Sequence, residues 1–406
     1  MSEPEVTLEQ ILGAGPMARI PSPHALYAKL RRETPVVSLS GPLDSVDPAD
    51  GPGSVMITRY DDVRRVLKSE NSFSSGVVNR TMGLVMGPTI VGMDGPEHLK
   101  HRSLVTPSLA PRALRGDFPA MVERISHEVI DKFADKFTDK GSADIRAEFT
   151  FSYPLTVFVQ ILGLPEEDSD MFHKWGIDLT LVAHDPPKGL AASKKMLDYL
   201  TPIVEAKRAE PSGDLISKLA TAEVDGERLS DFEVVSFLRL LVLAGAETTY
   251  HLMGSCLFAL LRDPALMQRV REDRSLIPEL MQEVLRWESP IATVIREASE
   301  DTQIGEVEIP KGTNVLCHIG SANRDGDRFP NPDLLDIDRE DKEHLAFGFG
   351  KHYCAGSRFA LLEGEVGINA ILDRLKNLAP QAGEEFDIIG FSFRGPDRLP
   401  VTFDVS

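Results

Sequence analysis

The chain has 406 residues, of which 42% are hydrophobic, 26% charged and 7% aromatic. Those are values of an ordinary globular protein, and they exclude a disordered, collagen-like or disulfide-scaffold chain. Forty-four basic against 63 acidic side chains leave a formal charge of −19, which repels phosphate backbones and anionic lipid, so neither nucleic acid nor a membrane surface is an expected partner.

The N-terminal MSEPEVTLEQ has no basic or apolar signal-peptide region, and residues 1–20 or so are expected to be a flexible segment. Ser40–Ser54 is a turn-rich loop, Val55–Thr58 a short strand, and Tyr60–Glu70 a helix with Asp61 and Asp62 in its first turn. Helical spacing recurs over Glu97–Leu104, Pro111–Phe137, Tyr153–Leu162, Leu190–Ala209, Asp231–Leu261 and Leu276–Trp287. The most apolar stretch, Phe232–Leu261, holds Glu233, Arg239, Glu247 and His251. That is too many ionisable groups for a membrane span, so it reads as a long buried helix. Thr302–Ile309 and Thr313–His318 read as strands, and a Pro/Asn/Asp-rich meander over Asn323–Arg339 follows. A last helix, Ser357–Lys376, precedes a strand-like C-terminus. No repeat or linker divides the chain, which predicts one mainly helical domain with small sheets over residues 1–406.

The three cysteines, Cys256, Cys317 and Cys354, are scattered and odd in number. They give no disulfide framework, suit a reducing cytoplasm, and never reach the spacing of zinc or iron–sulfur ligands. His127-Glu128 begins an HExxH pattern, but Asp131 stands where the second His is needed. Gly348 and Gly350 begin a GxGxxG that Tyr353 breaks, and no GxxxxGK[ST] occurs.

The segment Phe347-Gly348-Phe349-Gly350-Lys351-His352-Tyr353-Cys354-Ala355-Gly356 carries more chemistry. A thiolate just before a helix N-terminus receives backbone N–H groups and the positive end of the helix dipole. Gly350 and Gly356 let the backbone approach a flat ligand, and Phe347 has the position to pack beneath the sulfur. On its own, a single cysteine is more often a small buried residue. Ala244-Gly245-Ala246-Glu247-Thr248-Thr249 puts a glycine and an acid–alcohol pair in the middle of the long apolar helix. Gly there costs roughly 1 kcal/mol relative to Ala. The alternative is a kinked core helix with a solvent-facing Glu. Glu283-Val284-Leu285-Arg286 is an ExxR, by itself a common surface pair.

Together these motifs resemble the cytochrome P450 superfamily of haem-thiolate monooxygenases, specifically the bacterial, soluble type served by separate redox partners. The resemblance covers nearly the whole chain, because the motifs occur in the family's order. It implies the cytochrome P450 fold, with a long central helix over haem b, and Cys354 as axial thiolate to its iron. It implies that Thr248 and Glu247 (more often Asp in the family) deliver protons to dioxygen during its reduction. Glu283, Arg286 and Arg339 would form a structural network. His98 and Arg102 of the H-x-x-x-R segment, Arg296 and His352 would hold the haem propionates, and Ala244, Phe347, Gly348 and Gly356 would touch the haem. Asn323-Arg324-Asp325 resembles a structural motif of the family, with Gly326 where Pro is common, and Ala355 replaces a frequent Leu.

The resemblance places apolar pocket walls at Val77–Met93, at Leu240, Leu243 and Ala244, at Ile291, Val294 and Ile295, and near Phe391–Phe393. Arg80 is the one obvious charge on those walls. The Gly- and Met-rich stretch from Val77 suits an adaptable lid. A hydrophobic small molecule, dioxygen and an iron–sulfur ferredoxin-type (or flavodoxin-type) electron donor follow as partners, because the chain has no flavin or iron–sulfur signature. Hydroxylation, epoxidation and oxidative dealkylation are equally open. Arg64, Arg65, Arg112, Arg115, Lys351 and Arg358 form a candidate docking patch for an acidic donor. Cys256 and Cys317 read as inert core residues, Trp175 and Trp287 as packing residues. A haem-thiolate sensor without turnover, and a peroxide-using enzyme, remain as rival readings; the first has little use for Glu247-Thr248.

Overall fold

The computed structural model of the protein describes residues 7–14, 20, 22–39, 52–109, 118–137, 140–180 and 185–405. Most of the loop expected over Ser40–Ser54 lies outside the described residues, as do Arg112 and Arg115. Within the segment expected to be flexible, Leu8–Ala14 is a helix whose Ile11 is fully buried, so part of the N-terminus is anchored.

The main helices are α1 (His24–Glu33), α2 (Tyr60–Lys68), α3 (Gly76–Thr81), α4 (Gly83–Met86), α5 (Gly95–Leu109), α6 (Phe118–Ala134), α7 (Tyr153–Leu162), α8 (Ser169–Thr180), α9 (Pro186–Ala209), α10 (Leu215–Thr221), α11 (Asp231–Arg262), α12 (Pro264–Glu272), α13 (Ile277–Trp287) and α14 (Ser357–Arg374). The named strands are β1 (Val36–Leu39), β2 (Ser54–Ile57), β3 (Phe73–Ser74), β4 (Lys140–Asp144), β5 (Val294–Ala298), β6 (Asn314–Cys317), β7 (Leu375–Pro380) and β8 (Pro400–Val405). One sheet has the order β1-β2-β6-β5-β3, parallel only between β2 and β6. A second has the order β7-β8-β4, antiparallel throughout. The last helix stops at Arg374, two residues before its expected end, because Leu375 already pairs with Val405. No helix among the described residues is long and apolar enough to cross a membrane.

The central helix α11 organises the rest. Ser230 and Glu233 form a capping box at its start, the Glu233 N–H donating to Ser230 Oγ at 3.2 Å and the Ser230 N–H to Glu233 Oε2 at 2.7 Å. Asp263 then ends it and caps α12 through the N–H groups of Ala265 and Leu266. At 1.5 Å per residue α11 runs for about 48 Å. A helix that long and that apolar is stable only if protein covers it on most sides. Its N-terminal half lies in a core with α7, α8, α9 and α10, and its C-terminal half in another with α6, α13 and α14. Between the two it comes out of the packing. Ala244 is exposed and Gly245, Ala246, Glu247 and Thr248 are half-buried, with buried runs on either side.

Candidate active site

The segment from Phe347 is held by its own backbone. The Cys354 N–H donates to the Phe347 carbonyl at 2.8 Å, and Gly348 (φ 72°) and Gly350 (φ 74°) take the left-handed turns between them. A Cβ on Gly350 would sit 3.1 Å from the Leu67 carbonyl oxygen. That glycine therefore permits close packing on α2. A Cβ on Gly356 would meet only Cys354 Sγ, at 4.0 Å, among the described residues. The Phe347 ring packs on the α13–α14 core and near Tyr353 and His344. Cys354 is accessible and stands at the start of α14. Surrounding protein raises its thiol, while the Gly356 and Ser357 N–H groups and the Arg102 charge pull it back down.

The four expected propionate ligands come from three separate segments and meet in one cluster. The His98 and His352 rings stack with centroids 4.0 Å apart. Arg102 Nη2 donates to the Tyr353 carbonyl at 2.5 Å. Buried Arg296 on β5 donates from Nη1 to the adjacent Ile295 carbonyl. His98 is fully buried, and both its ring nitrogens lack a partner among the described residues. Burial, with His352 and Arg102 adding repulsion, pushes its pKa down to about 4. Two carboxylates that sequence reasoning missed complete the cluster. Asp94 Oδ1 lies 3.6 Å and Glu70 Oε1 4.0 Å from His352 Nε2. Burial opposes ionisation of Asp94, yet His352, Ser74 Oγ and the Ser75 N–H hold it well below the usual range. Asp94 precedes Gly95 at the start of α5, a position that reads as an ordinary helix cap. Glu70 has no sequence signal.

On α11, Thr248 and Thr249 both turn their hydroxyls back to the i−4 carbonyls, of Ala244 at 2.7 Å and Gly245 at 2.8 Å. A methyl on Gly245 would touch only Phe158 Cδ2, at 4.0 Å, so no protein neighbour demands that glycine. Glu247 Oε2 is buried without a partner among the described residues, and burial raises its pKa to about 7. The ExxR pair is fully buried. Glu283 Oε1 and Oε2 accept from Arg286 Nη2 (2.7 Å) and Nε (2.9 Å), and Arg339 Nε reaches Oε1 at 3.2 Å. Arg286 also donates to the carbonyls of Asn323, Pro332 and Leu334, tying the meander to α13. Asn323 Oδ1 accepts the Leu345 N–H at 2.7 Å, and Gly326 has open space around it, so nothing requires Pro there.

The residues expected to form the walls occupy several different settings. Val77–Met93 is not a loop but α3, α4 and a 3-10 turn at Ile90–Gly92. Leu240 and Leu243 are buried in the core, and Ala244 is the exposed residue that follows them. Val294 leans on the core beneath the five-stranded sheet, leaving Ile291 and Ile295 half-buried. Phe391 is fully buried in a core with Tyr27 and Met56. Arg80 is neutralised by an ion pair with Glu297. In the proposed docking patch Lys351 pairs with Glu70 at 2.7 Å, and Arg64 pairs with Glu343 and stacks on Phe349; Arg65 and Arg358 are exposed. Cys256 and Cys317 are buried, with the Cys317 thiol pushed up to about 12 by burial. Trp175 packs edge-on against Phe172 and Tyr199, and Trp287 lies under Arg324.

A thiol at a helix start, beside the cations of Arg102 and Arg296 and a buried His98 whose two nitrogens find no partner among the described residues, is a donor set suited to a flat metallocycle bearing carboxylates. The comparisons give the class: the cytochrome P450 family model matches residues 171–392, and the chain belongs to that family of haem b monooxygenases with cysteine-thiolate ligation. It is 33% identical to cytochrome P450 107B1 of Saccharopolyspora erythraea, over 93% of this chain and 94% of that one. It is 35% identical to the vitamin D(3) 25-hydroxylase of Pseudonocardia autotrophica, over 94% of each. The structure of CYP109E1 from Bacillus megaterium in complex with testosterone superposes with a TM-score of 0.83 at 28% identity, covering 94% of this chain and 99% of that one.

Proposed function

We propose that residues 1–406 act as one haem domain, a cytoplasmic monooxygenase that places one oxygen atom from dioxygen into a hydrophobic small molecule. In this reading Cys354 is the axial ligand, and His98, Arg102, Arg296 and His352 hold the propionates. Ala244, Phe347, Gly348 and Gly356 adjoin the macrocycle. The single observation that carries it is the cluster of those four donors, with His98 buried and unpartnered on both nitrogens beside a loop whose Cys354 feels the Arg102 charge.

Bound haem supplies the activation of dioxygen, with two electrons from NAD(P)H releasing the second oxygen atom as water. The chain's own residues position and protonate. The α14 N-terminus stabilises the Cys354 thiolate. Glu247, with a pKa near 7, gives up and regains a proton at neutral pH, and Thr248 offers a hydroxyl one position further along the exposed stretch of α11. A ferredoxin-type or flavodoxin-type donor brings the electrons, and exposed Arg65 and Arg358 support an acidic partner. The names of relatives acting on vitamin D(3) or binding testosterone support a lipophilic polycyclic substrate class.

The test is the absorption spectrum of the dithionite-reduced protein under carbon monoxide. A strongly red-shifted Soret band is expected and should vanish in Cys354→His. A band typical of histidine ligation in the wild type removes Cys354 and the mechanism with it.

A further inference from the structure

A proton donor in the middle of a buried helix has to be resupplied from solvent after each use, and the surroundings of Glu247 show from which side. At 3.6 residues per turn, Tyr250 stands about 60° round α11 from Glu247 and about 160° from Thr248. Glu247 therefore lies between them, with Tyr250 on the far side of the helix from Thr248.

A single π-helical turn, Arg146–Thr150, packs against α11 just before α7 begins. Such turns are rare and gather at functional sites. Phe151, the next residue, meets the Tyr250 ring edge-on with centroids 5.3 Å apart. Arg146 Cζ lies 5.6 Å from the Tyr250 centroid and 5.7 Å from that of Phe151. Arg146 is half-buried, between buried Ile145 and exposed Ala147 and Glu148, so it links this contact to the surface. Its Nε and Glu247 Oε2 are both buried and without a partner among the described residues. Polar atoms left over in this way are the partner set of a bridging water.

Burial and the Glu247 charge raise the Tyr250 phenol, while the Arg146 charge and its hydrogen bond to the phenol oppose them. A hydroxyl that accepts from a guanidinium keeps its own proton to donate, and Glu247 is the carboxylate whose charge it feels. His251 is a poorer carrier. Its ring centroid is 4.1 Å from that of Tyr250, but burial and Arg146 lower its pKa to about 3, and a Cβ on Gly395 would overlap Nδ1.

We propose that Tyr250, oriented by Arg146, is a positioning residue through which protons from solvent return to Glu247. The inference rests on the monooxygenase reading and adds the proton's way in. The phenol O–H bond breaks as its proton passes across a bridging water to the Glu247 carboxylate, and a new O–H bond forms with a proton from water at the Arg146 edge. One proton enters for each that leaves, the phenol is regenerated, and nothing is oxidised or reduced. Arg146 keeps its own proton throughout and acts by orienting the hydroxyl.

The experiment compares the wild-type holoenzyme with Tyr250→Phe, which removes one hydroxyl and keeps the ring on Phe151, and with Glu247→Gln and Arg146→Met. Rapid mixing into D2O at pH 6 is followed on the infrared band of the protonated Glu247 carboxyl, identified by its loss in Glu247→Gln. Oxygen uptake driven by NADPH through a plant-type ferredoxin and its reductase is then recorded in H2O and D2O. Tyr250→Phe should slow carboxyl exchange about fivefold or more and raise the solvent isotope effect on uptake, with the carbon monoxide band unchanged. Arg146→Met should show part of both effects; should it fail to fold, Tyr250→Phe decides. Unchanged exchange and isotope effect in Tyr250→Phe overturn the proposal, and so does slower uptake alone, which marks a packing role. The absence of the carboxyl band in the wild type overturns it as well. Absence of the carbon monoxide band defeats the monooxygenase assignment, and uptake indifferent to Glu247→Gln defeats the acid–alcohol role. Effects in Glu247→Gln but none in Tyr250→Phe defeat only this inference.

Discussion

Glu247 gives the most quantitative expectation. Its carboxyl is moved from 4.5 to about 7 by burial alone, which at about 1.4 kcal/mol per pH unit makes its ionised form about 3 kcal/mol more costly in the native state than in the unfolded chain. The native state keeps a proton that the unfolded chain releases between pH 4.5 and 7. The stability linked to that proton is whole below pH 4.5 and is lost as pH rises through 7. Glu247→Gln cannot ionise and is spared the loss. Urea unfolding of the two holoproteins at pH 5 and pH 8 isolates the effect, because every other titration cancels in the difference. The stability of Glu247→Gln relative to wild type should rise by about 2 kcal/mol between the two pH values. A difference that stays constant would show that Glu247 ionises freely, and would remove the physical basis for its role as a proton donor near neutrality.

Other substitutions probe the remaining parts. Thr248→Ala should lower product formed per NAD(P)H while oxygen consumption continues, with Thr248→Ser restoring coupling; unchanged coupling would remove the hydroxyl from proton delivery. Glu283→Ala leaves Arg286 buried without its carboxylate, and denaturation should show a loss of about 3–5 kcal/mol or a protein that does not fold. His98→Ala should speed transfer of haem to an acceptor such as apomyoglobin, and an unaltered rate would exclude a propionate contact. Arg358→Glu should slow reduction by a ferredoxin at low salt and leave substrate-induced spin shifts unchanged; stopped-flow traces identical to wild type would remove Arg358 from docking.

What the sequence makes legible depends on how local the determinant is. The central helix is readable because its apolar run, capping residues and ending lie in one stretch, and the window where it leaves the core coincides with the one motif that breaks the run, Ala244–Thr248. The Glu283–Arg286 pair is readable only through its place in the order of the family's motifs, since nothing in ExxR distinguishes a buried pair from a surface one. Glu70 and Asp94 are not readable: they reach His352 through the turns around α2 and β3, contacts set by tertiary packing. The same holds for Gly350, whose purpose turns out to be the backbone of α2, and for Val77–Met93, where glycine and methionine content suggested a loop but contacts with β5, α9 and α11 stabilise short helices.

Two buried cations illustrate how this acidic chain distributes charge. Arg286 has a carboxylate on its own helix and three carbonyls of the meander, so its burial is compensated within the protein and its effect is mechanical, fixing the segment that leads to Cys354. Arg239 has only neutral acceptors and one donor left over, on the same rigid helix that carries Glu247 and Thr248. The Ser230–Glu233 capping box and the His101–Glu233 contact at 2.9 Å fix the start of that helix. The position of Glu247 and Thr248 along α11 is therefore set by helix rise and not by a loop, so the stretch that leaves the packing stands at a fixed depth between the two cores that hold the helix.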